Sequence, residues 1–234
     1  MVKKYLSYIN ENLNMFNEVK EGKYIRVFRD NEFLGFFKVL NKIEEKSQMI
    51  PNEINFVLTV QKHEILTAKP TDTTFVINSL DKSYTFDIVS ESVSAGILCV
   101  YEDEILLIRP IKKHGDKPYT YPKGKQNPGE DIKDTAIREF TEEVGIEIPK
   151  ELLDDKYLFT FQYFRDEYDN QYYHKTQYFW AINLTKEQYK RYFNTKSIPK
   201  ENLQEAEIEW GGFLNKEKAS EVIRPEYEHI LRFI

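Results

Sequence analysis

The sequence predicts an α/β chain, with a small β-rich accessory domain over residues 1–92 and a layered α/β domain over residues 93–234. Three observations lead there. Runs with strand character dominate before residue 92 and carry no chemical motif. From Ser94 onward strands and helices interleave, the pattern of a sheet covered by helices. Two runs in that second half, "SAGILCVY" and "EILLIRP", are continuously aliphatic, as expected of strands buried on both faces.

The first element is a helix from about Lys4 to Phe16, where Leu6, Ile9, Leu13 and Phe16 recur at helical spacing. "KYIRVFRDNEFLGFFKVL" follows as two strands around an Asp30-Asn31 turn, and "INFVLTV", "TTFVINSL" and "SYTFDIVS" extend the pattern. A domain of this kind packs on the rest of the chain or mediates homodimerisation. In the second half, "SAGILCVY" and "EILLIRP" form a hairpin around Glu102 and Asp103. A glycine-containing loop then leads into a helix from about Asp131 to Val144. "YLFTFQYF" and "YYHKTQYFWAINL" are strands separated by the polar turn "RDEYDN". A short helix near Thr185–Phe193, the segment "EAEIEWGGFL" and a helix over Lys216–Ile234 complete the chain.

Composition narrows the class. With 41% hydrophobic residues, 16 Tyr and 16 Phe, the chain can bury a sizeable core. No apolar run approaches the roughly 20 residues that span a bilayer, so no membrane partner is expected. The N-terminus lacks the apolar stretch and cleavage site of a signal peptide, and one cysteine, Cys99, excludes an internal disulfide; a cytoplasmic location follows as the expectation. A net charge of −6 argues against a broad nucleic-acid-binding surface while leaving room for a local basic patch.

Chemistry concentrates in "PKGKQNPGEDIKDTAIREFTEEVGI", residues 122–146. Ile132, Ala136, Phe140 and Val144 make the buried stripe of its helix, and Gly145 stands where a left-handed C-cap is expected. Glu139, Glu142 and Glu143 lie at i, i+3 and i+4, where like charges repel, near the helix end at which the dipole disfavours anions. Acidic helix faces are commonly just solvated. A glycine loop next to a carboxylate cluster is, however, the donor set of a magnesium or manganese site.

The spacing Gly124, five residues, Glu130, seven residues, Arg138-Glu139-Phe140, one residue, Glu142-Glu143, one residue, Gly145-Ile146 resembles the Nudix box at all nine of its constrained positions. The resemblance implies an α/β/α sandwich with a mixed sheet. It further implies a hydrolase of acid anhydrides, in which water attacks a phosphorus of a nucleoside diphosphate linked to another group. Mg2+ or Mn2+ would be the cofactor, and Glu139, Glu142 and Glu143 the metal-binding and catalytic residues, joined by the backbone carbonyl of Lys123. One glutamate would activate the water, with Glu142 or Glu143 preferred. Glu130 and Arg138 would form an ion pair holding the loop to the helix, Glu130 alternatively reaching the metal through water. A further acidic ligand is expected before Trp210, where "LQEAEIEW" makes Glu205 the first choice over Glu207 and Glu209; Asp166, Glu167 and Asp169 form a weaker alternative.

The substrate expectation rests on basic residues. Arg109, Lys112, Lys113, Lys117, Lys123 and Lys125 stand against one acid, Asp116, and Lys123 and Lys125 flank the loop glycine. "PKGK" resembles the box entry of dinucleoside polyphosphate hydrolases and of mRNA-decapping members. Tyr163 stands where the former group often has a tyrosine, and Lys175 beside His174 is a further phosphate candidate. Tyr172, Tyr178 and Trp180 are candidates for stacking a base, against the plainer reading of alternating aromatics as core. The expected partner is a nucleotide or nucleotide-capped substrate, first a dinucleoside polyphosphate. The alternatives are an RNA 5′ end, with the first 90 residues bringing RNA to the site, and a nucleotide-sensing module without chemistry.

Overall fold

A computed structural model describes residues 16–46, 54–65, 68–79, 81, 83–112, 116–166 and 172–233. The expected first helix lies outside these residues, apart from a helical turn at residues 16–18. The chain divides into two compact units, Met1–Glu91 with Gln162–Lys175, and Ser92–Phe161 with Thr176–Ile234. A linear division at residue 92 does not contain the excursion at residues 162–175.

The first unit is built on a five-stranded antiparallel sheet. Its strands are β1 (Tyr24–Arg29), β2 (Glu32–Lys46), β3 (Ile54–His63), β4 (Pro70–Asn78) and β5 (Tyr84–Ile88), in the order β4-β3-β2-β1-β5. Asp30 and Asn31 turn β1 into β2 with φ of 50° and 68°, a left-handed pair that Asn and Asp tolerate better than other residues. Period-two alternation sends Ile25, Val27, Phe37, Val39, Leu58, Val60 and Phe86 to one face, where Phe16 and Val19 join them. Tyr24, Phe36, Ala68 and Val89 pack elsewhere in the unit with Phe164.

The second unit is a mixed α/β fold, a sheet with helices packed on it. Its sheet is made by β6 (Ser90–Tyr101), β7 (Glu104–Pro110), β8 (Lys123–Lys125), β9 (Phe159–Asp166), β10 (Tyr172–Asn183) and β11 (Ile208–Asn215), in the order β11-β7-β6-β10-β9 with β8 on β6; the start of β6, the end of β9 from Gln162 and the start of β10 to Lys175 belong to the first unit. The two aliphatic runs are buried on both faces. Ile97, Cys99, Leu106 and Ile108 meet α1 (Ile132–Val144) through Ala136, Phe140 and Val144. Leu98, Val100, Ile105 and Leu107 meet Ala219, Ile223, Tyr227 and Ile230. Burial also pushes the Cys99 thiol pKa up, so it is an unreactive core residue.

The helix α2 (Lys186–Tyr192) opens with a capping box between Thr185 and Gln188. The single helix expected over Lys216–Ile234 is instead two pieces, α3 (Lys216–Val222) and a 3-10 segment, Pro225–Phe233. Pro225 accounts for the break, because it has no N–H to donate and pushes the residue before it out of the helical region. Among the described residues no helix is long and apolar enough to cross a membrane.

Gly145 ends α1 with φ 69° and ψ 19°, and its N–H bonds the Thr141 carbonyl. A Cβ there would fall 2.0 Å from the Asn202 carbonyl oxygen, whereas one on Gly129, also left-handed at φ 78°, would meet nothing within 4 Å. Gly129→Ala therefore tests backbone strain alone, and should cost about 1 kcal/mol in urea denaturation. Gly145→Ala adds the clash and should cost at least about twice as much; equal losses would remove the Asn202 contact as a constraint.

Candidate active site

The loop before α1 is tied down from both sides. Strand β8 pairs with β6 through Ser94 with Lys125, Ala95 with Gly124 and Gly96 with Lys123, which lays Gly124 across the side chains of α1. Asp131 caps the helix, its carboxylate accepting from the Lys133 and Asp134 amides at 2.9 and 3.3 Å. A Cβ on residue 124 would sit 1.8 Å from Glu139 Oε2. Glycine is required here because the carboxylate occupies the space of a side chain.

Arg138 organises the acidic cluster. Its Nε and Nη2 donate to the two oxygens of Glu130 at 2.8 and 3.0 Å, a bidentate pair. Nη1 donates to Glu139 Oε1 at 2.7 Å and Glu142 Oε2 at 3.0 Å, and Nη2 also to the Lys125 carbonyl at 2.9 Å. Five N–H groups thus have five acceptors. Glu130 additionally accepts from the Asn127 amide and the Thr135 hydroxyl, both at 2.9 Å, so both of its oxygens are engaged by protein. Hydrogen bonding to Arg138, followed by these other bonds, holds the Glu130 pKa down at about 2.

Glu143 is the departure from an exposed acidic face: it is 8% exposed, with its Oε2 accepting from the Lys123 amide at 2.7 Å. Its pKa is pushed up chiefly by desolvation, and also by the charges of Glu139 and Glu207, against the opposing pull of Lys123. The Glu139 pKa is raised by burial as well, with Arg138 opposing. Glu142 is half-exposed. The Lys123 ammonium lies over the rings of Tyr121 and Tyr227, 6.0 and 5.6 Å from their centroids, and Gln177 accepts from the Tyr121 hydroxyl at 3.1 Å.

Other expected residues fall elsewhere. Glu205 lines a groove with Lys200, Glu201, Leu203 and Glu209, and Glu209 sits 3.2 Å from Arg109; Glu207 is the member of that segment whose charge bears on Glu143. Spacing before Trp210 puts Glu205 first along the chain, and only the folded path distinguishes the three glutamates. Tyr163 and Lys175 belong to the other unit, Tyr163 as a buried residue. His174 is buried there too, and desolvation lowers its pKa to about 4. Trp180 is core, its indole N–H bonding the Asp154 carbonyl at 3.1 Å.

Residues 91–219 match the NUDIX domain family. The chain belongs to that family. Similar solved structures include an Ap4A hydrolase binary complex from C. elegans (21% identity, TM-score 0.41, 60% of this chain and 93% of that one). Another is a MutT NUDIX hydrolase from Burkholderia pseudomallei (17% identity, TM-score 0.45, 61% of this chain and 97% of that one). No curated protein sequence matches. The NUDIX assignment covers residues 91–219, so most of the first unit lies outside it.

Members of this family generally use a divalent metal, and the carboxylates of this NUDIX chain fit one in charge. Glu143 and Glu139 are both desolvated acids, and the charge of a third, Glu207, bears on Glu143, a combination that an added cation relieves. Among the described residues no three such side chains already surround one point, since Glu139 and Glu142 turn to Arg138 and Glu143 to the Lys123 amide.

Two outcomes follow. The depressed Glu130 pKa means that its contribution to stability is complete above the ordinary carboxylate range, near pH 4.5, and is lost as pH falls toward 2. Glu130→Gln should therefore melt lower by on the order of 5 °C at pH 7, with the gap to wild type closing between about pH 4.5 and 2 in a thermal series. A gap that stays constant would show that the Arg138 bonds are not its source. Mg2+ should raise the melting temperature of wild type, while Glu143→Gln should melt higher than wild type without metal and respond less to it. A full Mg2+ response in that variant would exclude Glu143 from cation binding.

Proposed function

We propose that the chain is a metal-dependent pyrophosphohydrolase that cleaves a phosphoanhydride bond in a nucleoside polyphosphate, most favourably a dinucleoside polyphosphate. The observation that carries this reading is the acidic cluster of α1 set against a glycine whose missing Cβ admits the Glu139 carboxylate. Glu139, Glu142 and Glu143 would hold Mg2+ or Mn2+, with the Lys123 carbonyl as a further donor. When bound, the ion supplies charge neutralisation on the phosphate oxygens and a more acidic water.

The chain's own residues do the rest. Arg138 holds Glu139 and Glu142 on one side of the helix, and Glu130 holds Arg138. Glu143 is buried beside them and is the reading's choice of proton acceptor for the attacking water, since it is the carboxylate of the three held by a backbone amide and not by Arg138. Lys123 and Lys125 flank Gly124 at the end of β8, next to the carboxylates, and favour a substrate with phosphates beyond the pair being split. An RNA 5′ end presents the same polyphosphate chemistry and is the second reading.

Turnover with Mg2+ should fall at least about 100-fold in Glu143→Gln and in Glu142→Gln, as measured by phosphate-product release; near-normal turnover in both would refute the assignment. Lys123→Ala and Lys125→Ala should slow cleavage of a four-phosphate bridge more than of a two-phosphate bridge. Equal losses, or a wild-type preference for ADP-ribose over the longer bridge, would count against the substrate class.

A further inference from the structure

The first unit contains a cavity of about 400 Å³ that the proposed hydrolysis does not use. Arg26, Phe28, Phe33, Phe36, Phe164 and Tyr172 line it, with Ile65 at its edge. Its size and its mainly apolar lining with one directed polar group are those of a small-ligand site. Two features set it apart from ordinary core. Phe33 is 46% exposed and Ile65 48% exposed, so large apolar groups face solvent at the cavity. The lining is also already stacked: Phe36 and Phe164 lie parallel within 3° at a centroid separation of 4.3 Å, and the Arg26 guanidinium lies 3.4 Å from the Tyr172 ring centroid.

Strand pairing explains the arrangement. Arg26 stands opposite Phe36 on β2 and opposite Asp87 on β5, so the guanidinium projects from the same sheet face as the phenylalanine. Asp87 Oδ2 accepts from Arg26 Nε at 3.1 Å and from Nη2, fixing the guanidinium plane. Among the described residues none accepts a hydrogen bond from Nη1. The guanidinium also lies 4.6 Å from the Phe28 ring centroid, so the ring left open to a ligand is the exposed Phe33, beside a fixed planar cation with an available N–H whose charge is already offset by Asp87.

We infer that this cavity is a binding site for a nucleobase, recognised through its ring and not through its phosphates. A planar ring with acceptor atoms matches these features: the exposed Phe33 ring to stack on, an apolar wall, and a directed donor on a fixed guanidinium. An apolar peptide side chain would leave Nη1 without an acceptor, and a phosphate would find Arg26 already paired. The site takes the base of a free nucleoside or nucleotide.

The test is calorimetric titration of the full chain with adenosine, AMP, a six-residue oligoadenylate and N-acetyltryptophanamide, without divalent cations. Adenosine and AMP should bind within about threefold of each other with little salt dependence. Phe33→Ala should weaken adenosine at least about fivefold, Ile65→Ala should also weaken it, and Glu143→Gln should leave it unchanged. Both cavity changes are at exposed positions, and circular dichroism checks that the fold persists. No adenosine binding, or binding unaffected by both substitutions, overturns the inference. Loss in Glu143→Gln would move the ligand to the acidic cluster. Stronger binding of N-acetyltryptophanamide would make the cavity a side-chain pocket, and much tighter, steeply salt-dependent oligoadenylate binding would make it an RNA-chain site; either result rejects the free base. The binding measurement does not depend on hydrolysis, so failure of the proposed enzymatic activity would leave it standing.

Discussion

The acidic cluster exists because one guanidinium holds it together. Three glutamates at i, i+3 and i+4 would otherwise repel near a helix C-terminus, where the dipole already disfavours them. Arg138 sits between the loop and this face, bonding Glu130, Glu139, Glu142 and the Lys125 carbonyl. Because these partners come from the loop, β8 and the helix, the same side chain that balances the charge also fixes the loop to the helix. Most of the neighbouring geometry follows from that attachment: Gly124 must lack a side chain because Glu139 reaches past it.

Glu143 follows a different rule from its neighbours. It is one position from Glu142, so it points off the exposed face and into the space beneath β8, where it meets a backbone amide and not a guanidinium. The cluster thus contains one half-exposed, ion-paired carboxylate and one buried carboxylate, a difference of about 100° around the helix axis expressed as a difference in acidity. Carboxylates with unlike environments are suited to unlike roles, which is why a metal-holding role and a proton-accepting role can be distributed over three adjacent glutamates.

Aromatic residues divide along the β10 strand in the same positional manner. Trp180 and Phe179 belong to the cores of the second unit, whereas Tyr172 and His174, at the other end of the strand, pack in the first. A single strand thus serves two hydrophobic environments, and "YYHKTQYFW" has no one function. This is also why Lys175 and Tyr163 do not share a unit with the acidic cluster despite their place in the sequence.

What the sequence determined by itself was local. Alternation marked β1 to β5, continuous aliphatic runs marked β6 and β7 as buried on both faces, and helical spacing with Asp131 and Gly145 at the ends marked α1; each depends on contacts within a few residues. The nine spaced positions of the box marked the family, because their chemistry is repeated at fixed separations along the chain. Tertiary structure decided whatever depended on residues brought from far apart: that Arg138 would engage Glu139 and Glu142 as well as Glu130, that the charge of Glu207 would bear on Glu143, and that residues 162–175 would join the first unit. Burial of Glu143 belongs to the same class. A glutamate's spacing states which way it points from its helix, but only the strand laid over it decides whether water reaches it there.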